Sequence, residues 1–428
     1  MQTMVILFGT VLVLVLLNVP IAVALGVVAT AAMVLTQGLD VLPNLPIVLY
    51  QSATNFPLLA IPLFILAGAI MNSSGISRRL VGLATALFGW IRGGLAHVNI
   101  GVSLFFAEIS GSAVADVAAL GSVLIPEMKR KGYSAPFAAA VTSSSATLAI
   151  IIPPSIPMIL YAVMAETSVV QLFVAGIIPG LIGGFGLMGM AYYFARRYNL
   201  PVEERFSGRK LWIATKEASW ALLLPVIILG GIFGGVVTAT EGAALAVLAA
   251  LFIGLVIYRD LDWSHLRSAI MEGGTQTAVV MLLVATSGLL GNYLTEISAP
   301  QQLAAQVAAF TSDKYVVLAL LNIVFLFLGV FLHSAAAIIL VVPVVMPLVL
   351  AVGIDPVQFG LIVTINLGIG QQTPPVASVL MVSSAIAKCS VWETTRVNIY
   401  FIGVLFTVLM LVTYVPVTGM GLVEYFYR

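Results

Sequence analysis

The stretch 142-TSSSATLAIIIPPSIPM-158 lies inside an apolar segment that opens after the basic cluster Lys129–Arg130–Lys131 and continues to about Ala165. As one straight helix, residues 134–165 would run roughly 48 Å against a hydrocarbon core of about 30 Å. Pro153 and Pro154 remove two backbone donors and push the preceding residue out of the helical region. A run of hydroxyl side chains (Thr142, Ser143, Ser144, Ser145, Thr147) precedes them. Unpaired carbonyls at membrane depth persist only where protein or a polar cavity satisfies them. The stretch therefore reads either as a kink filled by neighbouring helices or as a broken helix that binds an ion or solute.

A second copy of the design bears on that choice. Residues 364–382, TINLGIGQQTPPVASVLMV, again run from an apolar segment through glycines and polar side chains to Pro374–Pro375. Pro153 and Pro374 lie 221 positions apart, as do Pro126 and Pro347, and Ile76–Ser77 and Ile297–Ser298. Three unrelated local features at one spacing indicate two halves built on one plan.

Composition sets the setting. The chain is 61% hydrophobic and 8% charged, with a mean hydropathy of +1.14, which is the balance of an integral membrane protein. Its net charge of +1 offers no nucleic-acid surface. A lone cysteine, Cys389, excludes an intramolecular disulfide and reads as a small apolar filler. No basic residue precedes the first apolar run, so Val5–Leu17 is expected to stay as a span rather than be cleaved as a leader.

Breaks at proline, glycine and charge divide the chain into an all-α membrane protein of two repeats. Residues 1–195 hold scaffold spans within 4–72, an amphipathic stretch 76–90, a hairpin 95–126, the broken helix 134–165 and a span 168–195. A polar linker, 196–217, forms the seam. Residues 218–428 repeat the order with scaffold spans within 219–294, a hairpin 315–349, a broken helix 357–387 and a span 397–415. The hairpin runs, about 14–17 residues each, are short for a bilayer and are read as re-entrant, the alternative being two thin full spans each; the re-entrant reading leaves ten crossings. With the linker cytoplasmic, sixteen Lys and Arg residues fall inside and only Lys314 and Arg428 outside. Each half then crosses an odd number of times, so the halves are inverted and both termini are expected in the periplasm. Inverted repeats with paired broken helices mark secondary transporters whose site lies at the repeat interface. No phosphate-binding glycine loop is present, so ATP is not the direct drive.

The hairpin tips and proline breaks converge in this topology. One cluster is Ser110, Gly111 and Ser112 with backbone around Ala149–Ile152; the other is His333 and Ser334 with Gly370, Gln371, Gln372 and Thr373. Neutral hydroxyl and carbonyl oxygens suit sodium, whereas calcium or magnesium would want several carboxylates. Solute contacts are expected from Asp116, Ser143, Ser144, Pro154, His333 and Gln371, with half-helix N-termini facing an anion. Asp116, an intramembrane carboxylate, is a functional candidate or else a buried pair steadying the hairpin. Glu108 and Glu241 read as structural or capping residues, and the five tryptophans as interface anchors. Two other classes compete. Ser112 and His333 could form a serine–histidine intramembrane hydrolase, and re-entrant hairpins also occur in channels. The hydrolase would not explain the second proline break or the 221-residue offset.

These motifs resemble the large membrane subunit of tripartite ATP-independent periplasmic (TRAP) transporters over essentially the whole chain. The resemblance is carried by NFPLLAIPLFILAGAIMNSSGISRRL (55–80), ISGSAVADVAALGSVLIP (109–126), IIPPSIPMILY (151–161), LFVAGIIPG (172–180), TATEGAA (238–244) and TPPV (373–376). It implies an elevator-type, sodium-coupled importer of organic anions such as C4-dicarboxylates, sialic acid or related sugar and keto acids, in the bacterial inner membrane. It further implies a periplasmic substrate-binding protein that delivers the solute, and a separate small four-helix membrane subunit. By the same resemblance, at least two sodium sites map to Ser110 and Ser112 with backbone near Ala149 and Ile151, and to backbone near Gly370 and Gln372 with Thr373. Asp116 matches the family's hairpin aspartate. The chain departs from the pattern at His333, where relatives commonly carry an acidic residue, and at Ala377 and Ser378, where they carry glycine and asparagine.

Overall fold

A computed structural model describes residues 2–110, 112–203 and 205–427, except for the side chains of residues 2, 5 and 106–110. Among these residues the chain is helical throughout, with a single isolated bridge between Arg92 and Val202. In order, the first half comprises α1 (Gln2–Leu16), α2 (Ile21–Gln37), α3 (Leu45–Ala53), α4 (Ala60–Ser73), α5 (Ile76–Phe88), α6 (Gly94–Ser110), α7 (Ala113–Arg130), α8 (Ala135–Ala146), α9 (Leu148–Ile151), α10 (Ile156–Met164) and α11 (Val169–Arg197). The second comprises α12 (Gly208–Phe233), α13 (Ala239–Phe252), α14 (Trp263–Glu296), α15 (Ala299–Phe310), α16 (Lys314–Phe331), α17 (Ser334–Ala351), α18 (Pro356–Gly370), α19 (Ser378–Ala387), α20 (Val391–Tyr414) and α21 (Val417–Tyr427).

Polar side chains fix where the helices start. Asp262, Asp313 and Asp355 each accept backbone N–H bonds at the head of α14, α16 and α18. Thr238 with Glu241 and Ser390 with Glu393 form reciprocal capping boxes on α13 and α20, so Glu241 has the capping role expected of it. Among the described residues, eight helices are long and apolar enough to cross a membrane, or nine if the bent pair 135–151 and 156–164 counts as one span. The helices α1, α2, α18 and α19 are shorter apolar segments. The arms α16 and α17, at 18 residues each, would span about 27 Å, so length alone does not separate arm from span.

The 221-residue offset carries into the structure. Shifting the bounds of α6, α7 and α10 by 221 gives 315–331, 334–351 and 377–385, against the observed Lys314–Phe331, Ser334–Ala351 and Ser378–Ala387. Packing partners exchange in the same way. The return arm α7 lies on α8 and on α19 of the other half, while its counterpart α17 lies on α18 and on α10. Reciprocity of this kind is what a two-fold relation produces. Two elements are longer than the hydropathy suggests: α12 begins at Gly208, inside the stretch read as linker, and α14 begins at Trp263 rather than near 276.

Burial separates two groups of helices. Every residue of 357–370 on α18 and of 137–146 on α8 is buried, which places these helices at the centre. By contrast, α12 buries only Ala218, Ala221, Leu224, Ile228 and Ile232. The seam is docked rather than loose. Gly93 N–H donates to Pro201 O (2.9 Å) and Glu203 N–H to Gly89 O (3.2 Å). The Glu203 carboxylate accepts from Tyr133 Oη (3.3 Å) and lies 3.4 Å from Lys131 Nζ. Burial, reinforced by the Glu203 charge, pushes the Tyr133 phenol well above its ordinary pKa. Gly93 has φ of +74°, and a Cβ there would come within 2.5 Å of Ala195 Cβ, so the joint between α5 and α6 requires glycine.

The contact between α16 and α18 depends on two facing glycines. A Cβ on Gly370 would lie 2.5 Å from the Gly329 backbone, and one on Gly329 would lie 3.1 Å from Gly370 Cα. Gly370→Ala is expected to destabilise the protein by about 1–3 kcal/mol through overpacking. Gly189→Ala, where nothing lies within 4 Å, should be neutral or slightly stabilising. Thermal melts of the two variants in one detergent check this; equal melting temperatures would refute the close-contact account.

Candidate functional site at the paired helix breaks

The first interruption covers residues 152–155, and the second covers 371–377; each contains a cis X–Pro bond, Pro153–Pro154 and Pro374–Pro375. Both ends of each break reuse local polar groups. Ser155 Oγ donates to Ile150 O (2.8 Å) and accepts from Met158 N–H as the N-cap of α10. On the other side, Thr373 N–H donates to Gly370 O (2.9 Å) and Val379 N–H to Gln371 O (3.1 Å), closing the turn over the prolines. Ala377 takes a left-handed conformation (φ 46°) while fully buried. A methyl side chain there is the substitution the resemblance marked as a departure from glycine.

A buried network joins the two breaks. Gln372 Nε2 donates to Thr147 Oγ1 (2.5 Å), and Asn398 Nδ2 donates to Gln372 Oε1 (3.2 Å). Ser144 Oγ lies 2.9 Å from Gln372 Oε1 and 2.7 Å from Asn398 Oδ1, with one proton to give. Ser144, Thr147, Gln372 and Asn398 are all inaccessible to solvent. The Gln372 side chain thus couples the halves, although the sequence pointed only to its backbone.

Two further networks hold the outgoing hairpin arms. In the first half Asn99 on α6 donates to Thr142 Oγ1 (2.6 Å), and Ser103 Oγ donates to Ser145 Oγ (2.9 Å). In the second, Asn366 donates to Asn322 Oδ1 on α16 (2.6 Å), and Asn322 donates to Thr413 Oγ1 (3.3 Å). Ser145 and Asn366 are themselves 221 positions apart. Asn99 and Asn322 lie among mostly apolar neighbours, and Asn366 and Asn398 beside more conspicuous polar residues, so all four escaped the sequence reading. The signal was present, since an amide at membrane depth is costly unless paired.

The remaining expected residues fall into place unevenly. Ser112 is the half-buried N-cap residue of α7, and Asp116 is buried in the first turn of that helix, at its positive dipole end. The cluster Ala113, Val117, Ala146, Ile150 and Val379 packs this tip against both breaks. Ser110 and Gly111 lie outside the residues whose side chains are described. Pro154, Ala149 and Ile151 are buried, and the Ile151 carbonyl faces Gly176, where a Cβ would come within 2.3 Å. Thr373 is half-buried and donates to Ile369 O (3.0 Å). His333 is exposed at the head of α17, whose packing partners are not those of α7.

Two buried side chains at the breaks lack protein partners: Ser143 Oγ, and both the nitrogen and the oxygen of the Gln371 amide. Leaving such groups unmade costs about 1–3 kcal/mol each. No group of three or more His, Cys, Asp or Glu occurs among the described residues. The oxygens at the breaks are hydroxyl, amide and carbonyl, with the single Asp116 carboxylate at the adjoining hairpin tip, a donor set that fits a monovalent cation better than a divalent one. The two neighbouring glutamines separate structure from function. Gln372→Leu should lower stability by about 1–3 kcal/mol by orphaning Ser144, Thr147 and Asn398, whereas Gln371→Leu should leave stability unchanged or raised. Thermal melts without sodium check this, and equal destabilisation by both would refute it.

The family described as "Tripartite ATP-independent periplasmic transporter, DctM component" matches residues 8–418. The chain is 40% identical over 383 residues to the C4-dicarboxylate TRAP transporter large permease DctM of Pseudomonas aeruginosa, covering 90% of each. It is 40% identical over 372 residues to the sialic acid TRAP transporter large permease SiaM of Vibrio cholerae, covering 87% of each. It is 39% identical over 416 residues to the isethionate TRAP transporter permease DctMQ of Oleidesulfovibrio alaskensis, covering 97% of this chain and 65% of that longer relative. In fold it is similar to the crystal structure of the Alcanivorax borkumensis YdaH transporter, with a TM-score of 0.62 at 16% identity and 90% of each chain covered. The chain belongs to the DctM component family of tripartite ATP-independent periplasmic transporters.

Proposed function

We propose that this chain is the large permease of a sodium-coupled importer that moves an organic anion across the bacterial inner membrane by an elevator motion, with both termini in the periplasm. The observation that carries the reading is the pair of buried helix interruptions tied together by Gln372, beside polar groups of Ser143 and Gln371 that no protein atom satisfies. The residues expected to hold sodium are Ser112 with backbone oxygens near Ala149 and Ile151, and Thr373 with backbone near Gly370 and Gln372. When bound, sodium would supply positive charge that favours an anion beside the helix ends. Asp116, Ser143, Pro154, His333 and Gln371 are the proposed solute contacts; Ser144 serves them through the network it shares with Gln372 and Asn398.

The names of the relatives support a small organic acid as cargo, and C4-dicarboxylate and sialic acid permeases are both among them. A 2,3-diketo-L-gulonate large permease of Escherichia coli, 37% identical over 368 residues, extends the range to sugar keto acids. A periplasmic binding protein and a small four-helix membrane subunit are the proposed partners. Two relatives named as TRAP transporter permease proteins are longer, with 65% and 60% of their length covered, which leaves room for a second membrane component. A transporter needs no nucleophile, and the proposed reading is not enzymatic.

Ser112→Ala and Thr373→Ala should each raise the sodium concentration for half-maximal uptake by about tenfold, the equivalent of about 1.4 kcal/mol of lost cation binding. Counterflow in proteoliposomes containing both membrane components and the binding protein measures this. Unchanged sodium dependence in both variants would sink the sodium assignment. Strong uptake by this chain alone would overturn the partner assignment.

A further inference from the structure

The amphipathic helix α5 packs against the start of α12, and between them lies a cavity of about 420 Å³ lined by Arg78, Arg79, Gly82, Ala214 and Glu217. Its basic wall is built rather than incidental. The Arg79 guanidinium stacks 3.7 Å above the Tyr258 ring, donates to Asp260 Oδ2 (2.7 Å) and donates to Gly75 O (3.0 Å). Tyr258 Oη in turn donates to Glu217 O (2.9 Å) and accepts from Ala221 N–H (3.2 Å), which locks α12 to the same ring. Asp260 also meets Arg78 at 3.2 Å, so one carboxylate serves two guanidiniums. Arg78 remains 75% exposed, with most of its five donors unused by that contact.

The surroundings point to the class of ligand. Lys210 falls on the face of α12 shared by Ala214 and Glu217, one turn nearer the helix start, with Arg209 and Lys216 flanking. Arg78, Arg79, Arg209, Lys210 and Lys216 thus outnumber Asp260 and Glu217. Trp212 and Trp220 are exposed along the same turns, and Trp263 is exposed at the head of α14, as expected where helices pass the headgroup layer. Gly82 leaves the floor open, since a Cβ there would meet nothing within 4 Å.

We infer that this groove is a binding site for the phosphate headgroup of an anionic phospholipid in the cytoplasmic leaflet. Arg78 and Lys210 grip the phosphate, while the acyl chains follow the apolar surface of α12. Basic pockets between helices at that leaflet bind such headgroups by charge and hydrogen bonding together. The inference does not depend on which solute the protein carries.

The test is retention of defined lipids by the purified protein in native mass spectrometry, using phosphatidylglycerol against phosphatidylcholine of the same chains. Wild type should retain phosphatidylglycerol preferentially. Arg78→Gln should weaken that retention about fivefold, the share one basic side chain contributes near an anionic surface. Gly82→Leu starts a side chain in the floor, where a Cβ meets nothing within 4 Å, and should abolish the preference; thermal melts confirm that both variants are folded. Loss of preference in either variant supports the site. Equal retention of the two lipids by wild type, or a preference intact in both variants, overturns it. Displacement of phosphatidylglycerol by excess inorganic phosphate would assign the groove to a free anion and overturn the lipid reading.

Discussion

Everything central to this protein depends on one requirement: a helix interrupted in the middle of a membrane protein must have its polar groups met from within. Here the requirement is met across the repeat boundary. The side chain of Gln372, from the second break, reaches Thr147 and Ser144 beside the first, and Asn398 on α20 completes the set. Neither interruption is therefore self-sufficient, and the geometry of each is conditional on the other. A two-fold arrangement is the economical way to satisfy both, because one contact then serves two breaks.

The halves are alike in plan and unlike in chemistry. The first hairpin tip presents Ser112 and a buried carboxylate, Asp116, one turn inside its return arm. The second presents an exposed imidazole, His333, followed by a return arm of alanine, isoleucine and valine. Both outgoing arms use an asparagine to grip the broken helix of their own half, through Asn99 to Thr142 and through Asn322 to Asn366. Duplication has kept the architecture of the arms while the tips diverged.

Much of this was legible in the residues alone, for identifiable reasons. Tandem prolines break a helix whatever surrounds them, so both interruptions and their common offset could be read directly. The start of α12 was obscured because Arg209, Lys210 and Lys216 look like a solvated linker. They are good helix formers that Ser207 caps, and the helix simply extends beyond its apolar stretch. Helix α14 hides its first turns in the same way behind His265, Arg267 and Glu272. The four buried asparagines stayed invisible because a single amide has no periodicity, and its worth depends on a partner from a distant segment. Likewise Gln371 and Gln372 are neighbours in sequence with opposite surroundings, a difference that only the packing of α18 against α9 and α20 determines.

The docked seam between the halves carries a mechanical implication. Val202 and Glu203 are fastened to the joint between α5 and α6, while α12 begins at Gly208. Glu203 and Gly208 are five positions apart, and a fully stretched chain over five steps reaches about 17 Å. A larger stroke between the two anchor points would have to peel the seam from its dock or unravel the first turn of α12.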